Sequence, residues 1–176
     1  MPVISTATRH PLEPDWTTWV PRERAVLCFI VCAGRVLLIH KKRGLGAGKV
    51  NAPGGKIEPG ESALEAAIRE TQEEVGVTPH GLTQRGEVHF HFVDGYSVHC
   101  LAFVADDFSG EPIETAEAIP FWRAIDEIPY GEMWEDDQHW LPHMLRGECI
   151  IAWFTFDNEL MLTKKVDRSE ASCRLS

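Results

Sequence analysis

The stretch GGKIEPGESALEAAIRETQEEVGV, residues 54–77, decides the fold, because it places a glycine-rich turn directly before a helix with an acidic end. Pro59 and Gly60 form a turn, and Ser62 with Glu65 has the S-x-x-E spacing of a capping box. In such a box each side chain satisfies a free backbone donor at the start of the helix. The spacing therefore predicts a helix that begins near Ser62.

Helical periodicity assigns two stripes to this helix. The main buried stripe is predicted to be Leu64, Ile68, Thr71 and Val75, and a second stripe is Ala63, Ala66 and Ala67. The second stripe leads into Glu70, Glu73 and Glu74, so the three carboxylates are expected on one face.

The three glutamates repel one another, since side chains three and four apart on a helix lie about 5–6 Å from each other at Cβ. Arg69 can pair with one carboxylate but cannot neutralise three. A divalent cation would relieve the remaining repulsion, and ligands that are all oxygen favour Mg²⁺ or Mn²⁺ over zinc. A solvated acidic helix end is the alternative interpretation of these residues taken alone.

Two β-rich runs precede this stretch, at residues 25–32 and 35–42, with Ala33 and Gly34 between them. They predict a hairpin with a short turn. The loop RGLGAGKVNAPGG, residues 43–55, follows it and contains too many glycines for a regular element. It is not a nucleotide P-loop, because the glycine spacing is one residue short and Val50 follows Lys49 where Ser or Thr is needed.

Composition limits the function classes. A chain of 176 residues with 44% hydrophobic residues predicts a single main domain. Its net charge of −10 argues against a nucleic-acid polymer as partner. The five cysteines contain no CxxC pair, which predicts reduced thiols. With no apolar run long enough for a membrane and no signal-peptide pattern at the start, we expect a cytoplasmic protein without a membrane partner.

The whole pattern from Gly55 to Val77 resembles the Nudix box, GX5EX7REUXEEXGU, at every fixed position. The one departure is Thr71, where the family usually has an aliphatic residue. The resemblance implies an α/β fold, the Nudix α/β/α sandwich with a mixed central sheet between helices. It also implies Mg²⁺-dependent cleavage of a nucleoside diphosphate linked to another group.

Roles are carried over to the matching positions. Glu70, Glu73, Glu74 and the Gly55 carbonyl are expected to hold the metal, while Arg69 and Glu61 brace the loop–helix–loop. Glu117, in ETAEAIPFW, matches a family glutamate near the metals that serves as ligand or general base. We expect Glu70 to be the base and Glu74 the main ligand, although spacing does not decide which glutamate takes the proton.

Beyond the box, residues 35–61 and GEMWEDDQHW, residues 131–140, resemble the mammalian-type 8-oxo-dGTP diphosphatases. This resemblance covers roughly residues 24–166 and implies that an asparagine, two aspartates and several aromatic side chains hold the purine. A protonated carboxyl beside an ionised one offers a donor and an acceptor to an altered base. Two positions depart from that group, Leu45 and Val50, where Phe and Trp are usual. The matching residues, with Lys41 also expected at the substrate, are Asn51, Asp136, Asp137, Trp134, Trp140, Phe90 and Phe92.

The stretch GEVHFHFVDGYSVHCLAFVADD, residues 86–107, is a second predicted hairpin. If Asp94 and Gly95 form a two-residue turn, His91 pairs with Val98 and His89 pairs with Cys100. His99 then faces away from His89, which argues against a metal site made of the strand histidines.

These observations predict an irregular N-terminal arm over residues 1–20, a Nudix domain over 21–166 and a polar, poorly ordered tail over 167–176. A monomer is expected. The expected reaction is hydrolysis of an oxidised purine nucleoside triphosphate, such as 8-oxo-dGTP or 2-hydroxy-dATP, to the monophosphate and pyrophosphate. The alternatives are a Nudix hydrolase of another nucleotide and a Nudix module that binds without catalysis.

Overall fold

The protein is described by a computed structural model that covers residues 8–170 and Cys173. Residues 8–20 contain turns but no helix or strand. The remaining parts of the predicted arm and tail, residues 1–7, 171–172 and 174–176, lie outside the described residues. The strands are β1 (Glu23–Cys32), β2 (Arg35–Lys41), β3 (Val50–Asn51), β4 (Gly54–Lys56), β5 (Thr78–His80), β6 (Thr83–Phe92), β7 (Ser97–Ala105), β8 (Asp107–Ser109), β9 (Ala118–Ala124), β10 (Cys149–Asp157) and β11 (Leu160–Ser169). The helices are α1 (Ala63–Val75) and α2 (Asp137–Leu145), with short 3-10 turns at Ile125–Glu127 and Tyr130–Glu132.

A mixed nine-stranded sheet forms the centre of the molecule, with the order β11-β10-β6-β7-β1-β2-β3 and with β4 beside β1 and β9 beside β2. The β1–β7 and β6–β10 pairs are parallel, and the other pairs are antiparallel. A separate small sheet joins β5 to β8. The expected mixed sheet between helices is confirmed.

Alternation along β1 divides the core into two layers. Val26, Cys28 and Ile30 pack in the layer that contains the α1 alanines, whereas Phe29 packs in the layer that contains Trp140 of α2. The two helices therefore cover opposite faces of the sheet.

The first hairpin is confirmed: Ala33 and Gly34 both have positive φ, 51° and 73°, between β1 and β2. Two positive φ values characterise the type I′ turn that suits a two-residue hairpin loop.

The predicted register of the second hairpin is wrong. The Phe92 amide donates a hydrogen bond to the Tyr96 carbonyl across a three-residue loop, and Gly95 in this loop has a φ of 95°. A three-residue loop with a left-handed glycine is a common alternative to the two-residue turn. The extra loop residue shifts the partners by one, so His89 pairs with His99 and both side chains lie on the same face.

The helix prediction is confirmed at its start and, in the main buried stripe, at Thr71 and Val75, but it is wrong at Leu64. Ser62 is the N-cap of α1 and Gly76 is its C-cap. Leu64, however, is 44% exposed, and the buried residues of α1 are Ala66, Ala67, Thr71, Glu74 and Val75. The small alanines let the helix lie close to the sheet, and Leu64 is left on the outer side.

The expectation of reduced thiols is wrong for two cysteines, because Cys149 and Cys173 form a disulfide. The β10–β11 pairing places Ser169 opposite Cys149, so Cys173 comes only four residues after the strand partner of Cys149. β11 itself extends through Ser169, into the stretch predicted to be poorly ordered. Cys28, Cys32 and Cys100 are free thiols. In residues 8–170 no helix is both long enough and apolar enough to cross a membrane.

Candidate active site

A cleft of about 570 Å³ opens on the sheet and extends from the acidic end of α1 to the start of α2. This volume is within the usual range of about 300–1,000 Å³ for small-molecule sites. One end is acidic and the other is aromatic. The predicted site residues that line it are Lys41, Asn51, Gly55, Glu70, Glu74, Phe90, Phe92, Glu117, Trp134, Asp136 and Asp137.

The acidic end is positioned by the capping of α1. Ser62 Oγ accepts a hydrogen bond from the Glu65 amide at 3.1 Å, and the Glu65 carboxylate accepts one from the Ser62 amide at 2.8 Å. Because this box fixes where the helix starts, it also fixes the turns that carry the glutamates beside β4.

Arg69 is the centre of an ion-pair network. Its guanidinium donates to both carboxylate oxygens of Glu61, at 2.6 and 2.8 Å, and to the Lys56 carbonyl at 3.0 Å. It also donates to Glu70 at 2.8 Å. The hydrogen bonds from Arg69 lower the pKa of Glu61 to about 2. The loop before α1 is thus tied to the helix by a bidentate pair.

Glu70 occupies the space where a side chain at residue 55 would be. A Cβ atom on Gly55 would lie 2.4–2.5 Å from all three atoms of the Glu70 carboxylate. Burial raises the pKa of Glu70, and the Arg69 guanidinium opposes that shift. The glycine thus lets this carboxylate lie against the β4 backbone.

Glu74 is the most enclosed carboxylate at this end, with 6% of its surface exposed. Burial raises its pKa to about 8, and Lys41 opposes the shift. Within the described part of the chain, its Oε2 atom has no hydrogen-bond partner. A buried carboxylate oxygen without a donor is a ligand atom available to a cation.

The two other predicted acidic residues are placed differently. Glu73 is exposed, does not line the cleft and accepts a hydrogen bond from Arg69 at 3.2 Å. Glu117 lies at the cleft and pairs with Arg43 at 2.6 Å. The structure therefore brings Glu70, Glu74 and Glu117 to one cleft and leaves Glu73 on the outer side of α1.

The aromatic end contains Phe90 and Phe92 on β6 with Trp134 above them. Trp134 meets Phe92 edge-on at a centroid distance of 6.0 Å and meets Phe156 in the same way at 5.5 Å. Sequence reasoning missed Phe156, which lies on β10. The missing information was the parallel β6–β10 register, which places Phe156 beside Phe92.

Asp136 and Asp137 form a buried acidic pair at this end, 1% and 3% exposed. Burial raises the pKa of Asp136 to about 7. It raises the pKa of Asp137 well above its usual value, and the neighbouring Asp136 adds to that shift. No cation pairs with either carboxylate in residues 8–170, and one oxygen of each has no partner there. The pair therefore retains a proton near neutral pH and offers both a donor and an acceptor.

Trp140 does not line the cleft, which corrects the expectation for this residue. It is fully buried behind the pair, and its Nε1 donates to Asp136 Oδ2 at 2.8 Å. The hydrogen bond fixes one oxygen of Asp136 and leaves the other free. Trp140 thus orients the acidic pair without reaching the cleft.

Leu45 and Val50, the two residues that differ from those usual in the resembled diphosphatases, lie in different places. Leu45 is 52% exposed and lines the cleft, whereas Val50 is buried in the core and does not line it. Asn51 lines the cleft, and its Oδ1 accepts a hydrogen bond from the Ala52 amide at 2.8 Å.

Comparison with known proteins identifies the class of this fold and site. Residues 21–144 match the family model described as "NUDIX domain", which covers most of the chain. The protein belongs to the Nudix family.

Two curated relatives specify the likeness further. The chain is 42% identical to the "Oxidized purine nucleoside triphosphate hydrolase" of Danio rerio over 148 residues, which cover 82% of this chain and 94% of that protein. It is 38% identical to the protein of the same name from Mus musculus, over 76% of this chain and 86% of that protein. Among solved structures, the MutT protein of Bacillus halodurans superposes with a TM-score of 0.75 at 29% identity, over 82% of this chain and 97% of that one.

Proposed function

We propose that this protein hydrolyses oxidised purine nucleoside triphosphates, such as 8-oxo-dGTP or 2-hydroxy-dATP, to the nucleoside monophosphate and pyrophosphate. The observation that carries the proposal is the buried Asp136–Asp137 pair at the aromatic end of a cleft whose other end is built from the Nudix glutamates. The names of the Danio rerio and Mus musculus relatives support the same substrate class.

The acidic end fits a divalent cation, Mg²⁺ or Mn²⁺. Glu74 offers a buried oxygen without a donor, and Glu70 lies against Gly55 because no side chain is present there. Glu70, Glu74 and the Gly55 carbonyl would hold the ion, with Glu117 and Glu73 as the further candidates. When bound, the ion would neutralise the polyphosphate and lower the pKa of a water molecule for attack on phosphorus.

The chain's own groups would orient the reaction at that end. Lys41 and Arg43 line the same cleft and bring positive charge toward a polyphosphate. Arg69 fixes the Glu70 carboxylate by a 2.8 Å hydrogen bond. Glu70 is the proposed general base, since Arg69 and Gly55 hold its carboxylate in place without enclosing it as fully as that of Glu74.

The base would bind at the aromatic end. Phe90, Phe92 and Trp134 supply apolar surface for a purine ring. The Asp136–Asp137 pair, with one proton, can donate to one edge atom of the base and accept from its neighbour. An undamaged base with the opposite pattern would leave a buried group unpaired, which is the physical origin of strong discrimination.

The first test compares kcat/KM with Mg²⁺ for 8-oxo-dGTP, 2-hydroxy-dATP, dGTP and dATP by pyrophosphate release. We expect an oxidised base to be preferred by about 100-fold, which is about 2.7 kcal/mol of transition-state binding. Asp136→Asn should reduce that preference by about 10-fold. Asp126→Asn, an exposed aspartate outside the cleft, is the matched control.

A second candidate is a Nudix hydrolase with another nucleotide substrate, which Leu45 favours because it reduces the aromatic surface at the cleft. Equal, low rates on all four nucleotides would support it. A module that binds without catalysis would show no Mg²⁺-dependent turnover of any of them. The half-buried Glu70 and the buried Glu74 repel each other, which argues against such a module.

We also propose the kind of partner, the oligomeric state and the cellular compartment. A free nucleotide suits a protein of net charge −10 better than a nucleic-acid polymer does. We propose a monomer that acts on the nucleotide pool of the cytoplasm.

A further inference from the structure

Three side chains with metal-ligating atoms meet on the face of the sheet that α1 covers, opposite to the aromatic end of the cleft. They are Glu87, His89 and His99, and their ligating atoms all lie within 4.8 Å of one another. On β6 the alternate residues Phe90 and Phe92 face the cleft, so Glu87 and His89 face the other way. The cluster therefore takes no part in the site described above.

The hydrogen bonds in this cluster resemble those of a metal centre. The Nδ1 atom of His89 lies 3.0 Å from the Ala152 carbonyl, which can only accept, so Nδ1 carries the proton. Nε2 of His89 is then a free lone pair, and it lies 3.5 Å from the Glu87 carboxylate. Ligating histidines usually donate their second ring nitrogen to a carbonyl or carboxylate in this way.

His99 completes the set: its Nε2–H donates a hydrogen bond to the same Glu87 oxygen at 2.7 Å, and a bound metal ion would take the place of that proton. In a tetrahedral site with bonds of about 2.0–2.1 Å, ligand atoms are about 3.3 Å apart. The nitrogen–oxygen distance of 2.7 Å from His99 lies below that value, and the distance of 3.5 Å from His89 lies above it. Small side-chain movements would therefore place all three atoms around one ion.

The surroundings are enclosed but reachable. The side chains of Glu87, His89 and His99 keep 10%, 14% and 15% of their surface exposed. Three tryptophan rings surround His89, namely Trp16 and Trp19 from the N-terminal segment at 6.4 and 5.5 Å and Trp153 at 5.3 Å. Such apolar walls strengthen the binding of a cation to a charged ligand.

We propose that Glu87, His89 and His99 form a second metal site, which binds a divalent transition metal of the Zn²⁺ class. Two imidazoles with one carboxylate suit Zn²⁺ and its neighbours, whereas Mg²⁺ prefers oxygen ligands. Three protein ligands leave a fourth position for water or another donor. The molecule would then have two metal sites that differ in ligand chemistry.

The test is calorimetric titration of Zn²⁺ into protein without a histidine tag, with millimolar Mg²⁺ present to occupy the acidic end of the cleft. We expect one Zn²⁺ per chain, and we expect Glu87→Gln and His99→Asn each to weaken binding by at least about 10-fold. His91→Asn is the matched control, because His91 lies on the same strand and face but outside the cluster. It should bind as the unaltered protein does.

Two further measurements make the result decisive. Co²⁺ bound at the same site should quench tryptophan fluorescence, and this quenching should disappear in Glu87→Gln. Glu87→Gln nearly preserves the shape of the side chain, so it remains informative if His99→Asn fails to fold. Glu70→Gln should leave Zn²⁺ binding unchanged, which separates this site from the catalytic one. The absence of Zn²⁺ binding, or binding that survives Glu87→Gln and His99→Asn, would overturn the proposal.

Discussion

The two ends of the cleft differ in what surrounds their buried carboxylates. At the α1 end, burial raises the pKa of Glu70 and of Glu74, but Arg69 opposes the first shift and Lys41 opposes the second. At the α2 end, burial raises the pKa of Asp136 and Asp137, and no cationic side chain in the described residues opposes it. Nearby positive charge at the first end favours the ionised carboxylates that bind a metal ion, whereas the second end favours a proton shared between two acids. One cleft can therefore recognise a polyphosphate and a neutral base at once.

The largest expected effect is at the first end. Glu74→Gln should lower kcat by about 100-fold or more, since residues that merely orient metal ligands already contribute about 10- to 100-fold. The comparison should be made with Glu111→Gln, an exposed glutamate beyond α1. Circular dichroism and thermal unfolding will show whether the fold is kept. A Glu74→Gln protein with normal Mg²⁺-dependent turnover would remove this residue from the metal site.

Arg69→Lys should have the next largest effect. Lysine keeps the charge but cannot bond both oxygens of Glu61 and also reach Glu70. We expect kcat to fall by about 10-fold and the free energy of unfolding to fall by about 1–2 kcal/mol, measured by urea titration. If only stability falls, Arg69 supports the loop without orienting Glu70.

The aspartate pair at the α2 end of the cleft should affect how the stability of the protein depends on pH. The pKa of Asp136 is raised from 3.8 to about 7, so between these values the folded protein binds more protons than the unfolded chain. The free energy of unfolding contributed by this group therefore falls as pH rises from about 4 to about 7. Asp136→Asn removes that contribution, and we expect the variant to gain about 4 kcal/mol relative to the original protein as pH rises across this window.

This gain is measured by chemical unfolding at pH 4 and pH 8. A constant difference between the two proteins at both pH values would mean that the pKa of Asp136 is the same in the folded and unfolded states. The shared-proton account of base recognition would then be wrong.

The smallest effect is expected at the mouth of the cleft. Leu45 is half exposed there, so Leu45→Phe should add aromatic contact with a purine and lower KM by about 3-fold without changing kcat. Val50→Trp is a poor comparison, because Val50 is fully enclosed in the core. An unchanged KM would show that the base does not reach Leu45.

Local signals in the sequence predicted the elements that depend on neighbouring residues. The Ser62–Glu65 box and the Ala33–Gly34 turn lie within a few residues of their partners, and both are confirmed. The second hairpin was wrong because Asp94–Gly95 suits both a two-residue and a three-residue loop. That single residue moved His99 to the same face as His89.

Pairings between distant segments were beyond the sequence. Nothing in the motif of β10 specifies that Phe156 lies next to Phe92, or that Cys173 returns to Cys149. The position of Glu73 was also missed, because helical spacing gives the angle of a side chain but not the angle at which the helix meets the sheet. Those quantities depend on the packing of the whole domain.

The close contact between residue 55 and Glu70 has a consequence for genetics. Gly55 contributes no side chain, yet every replacement introduces the same Cβ atom and displaces the same carboxylate. In a saturation library, this position should show uniform loss of activity that does not vary with the charge, size or polarity of the new residue. Uniform loss of activity across all substitutions would identify residue 55 as a position that must have no side chain.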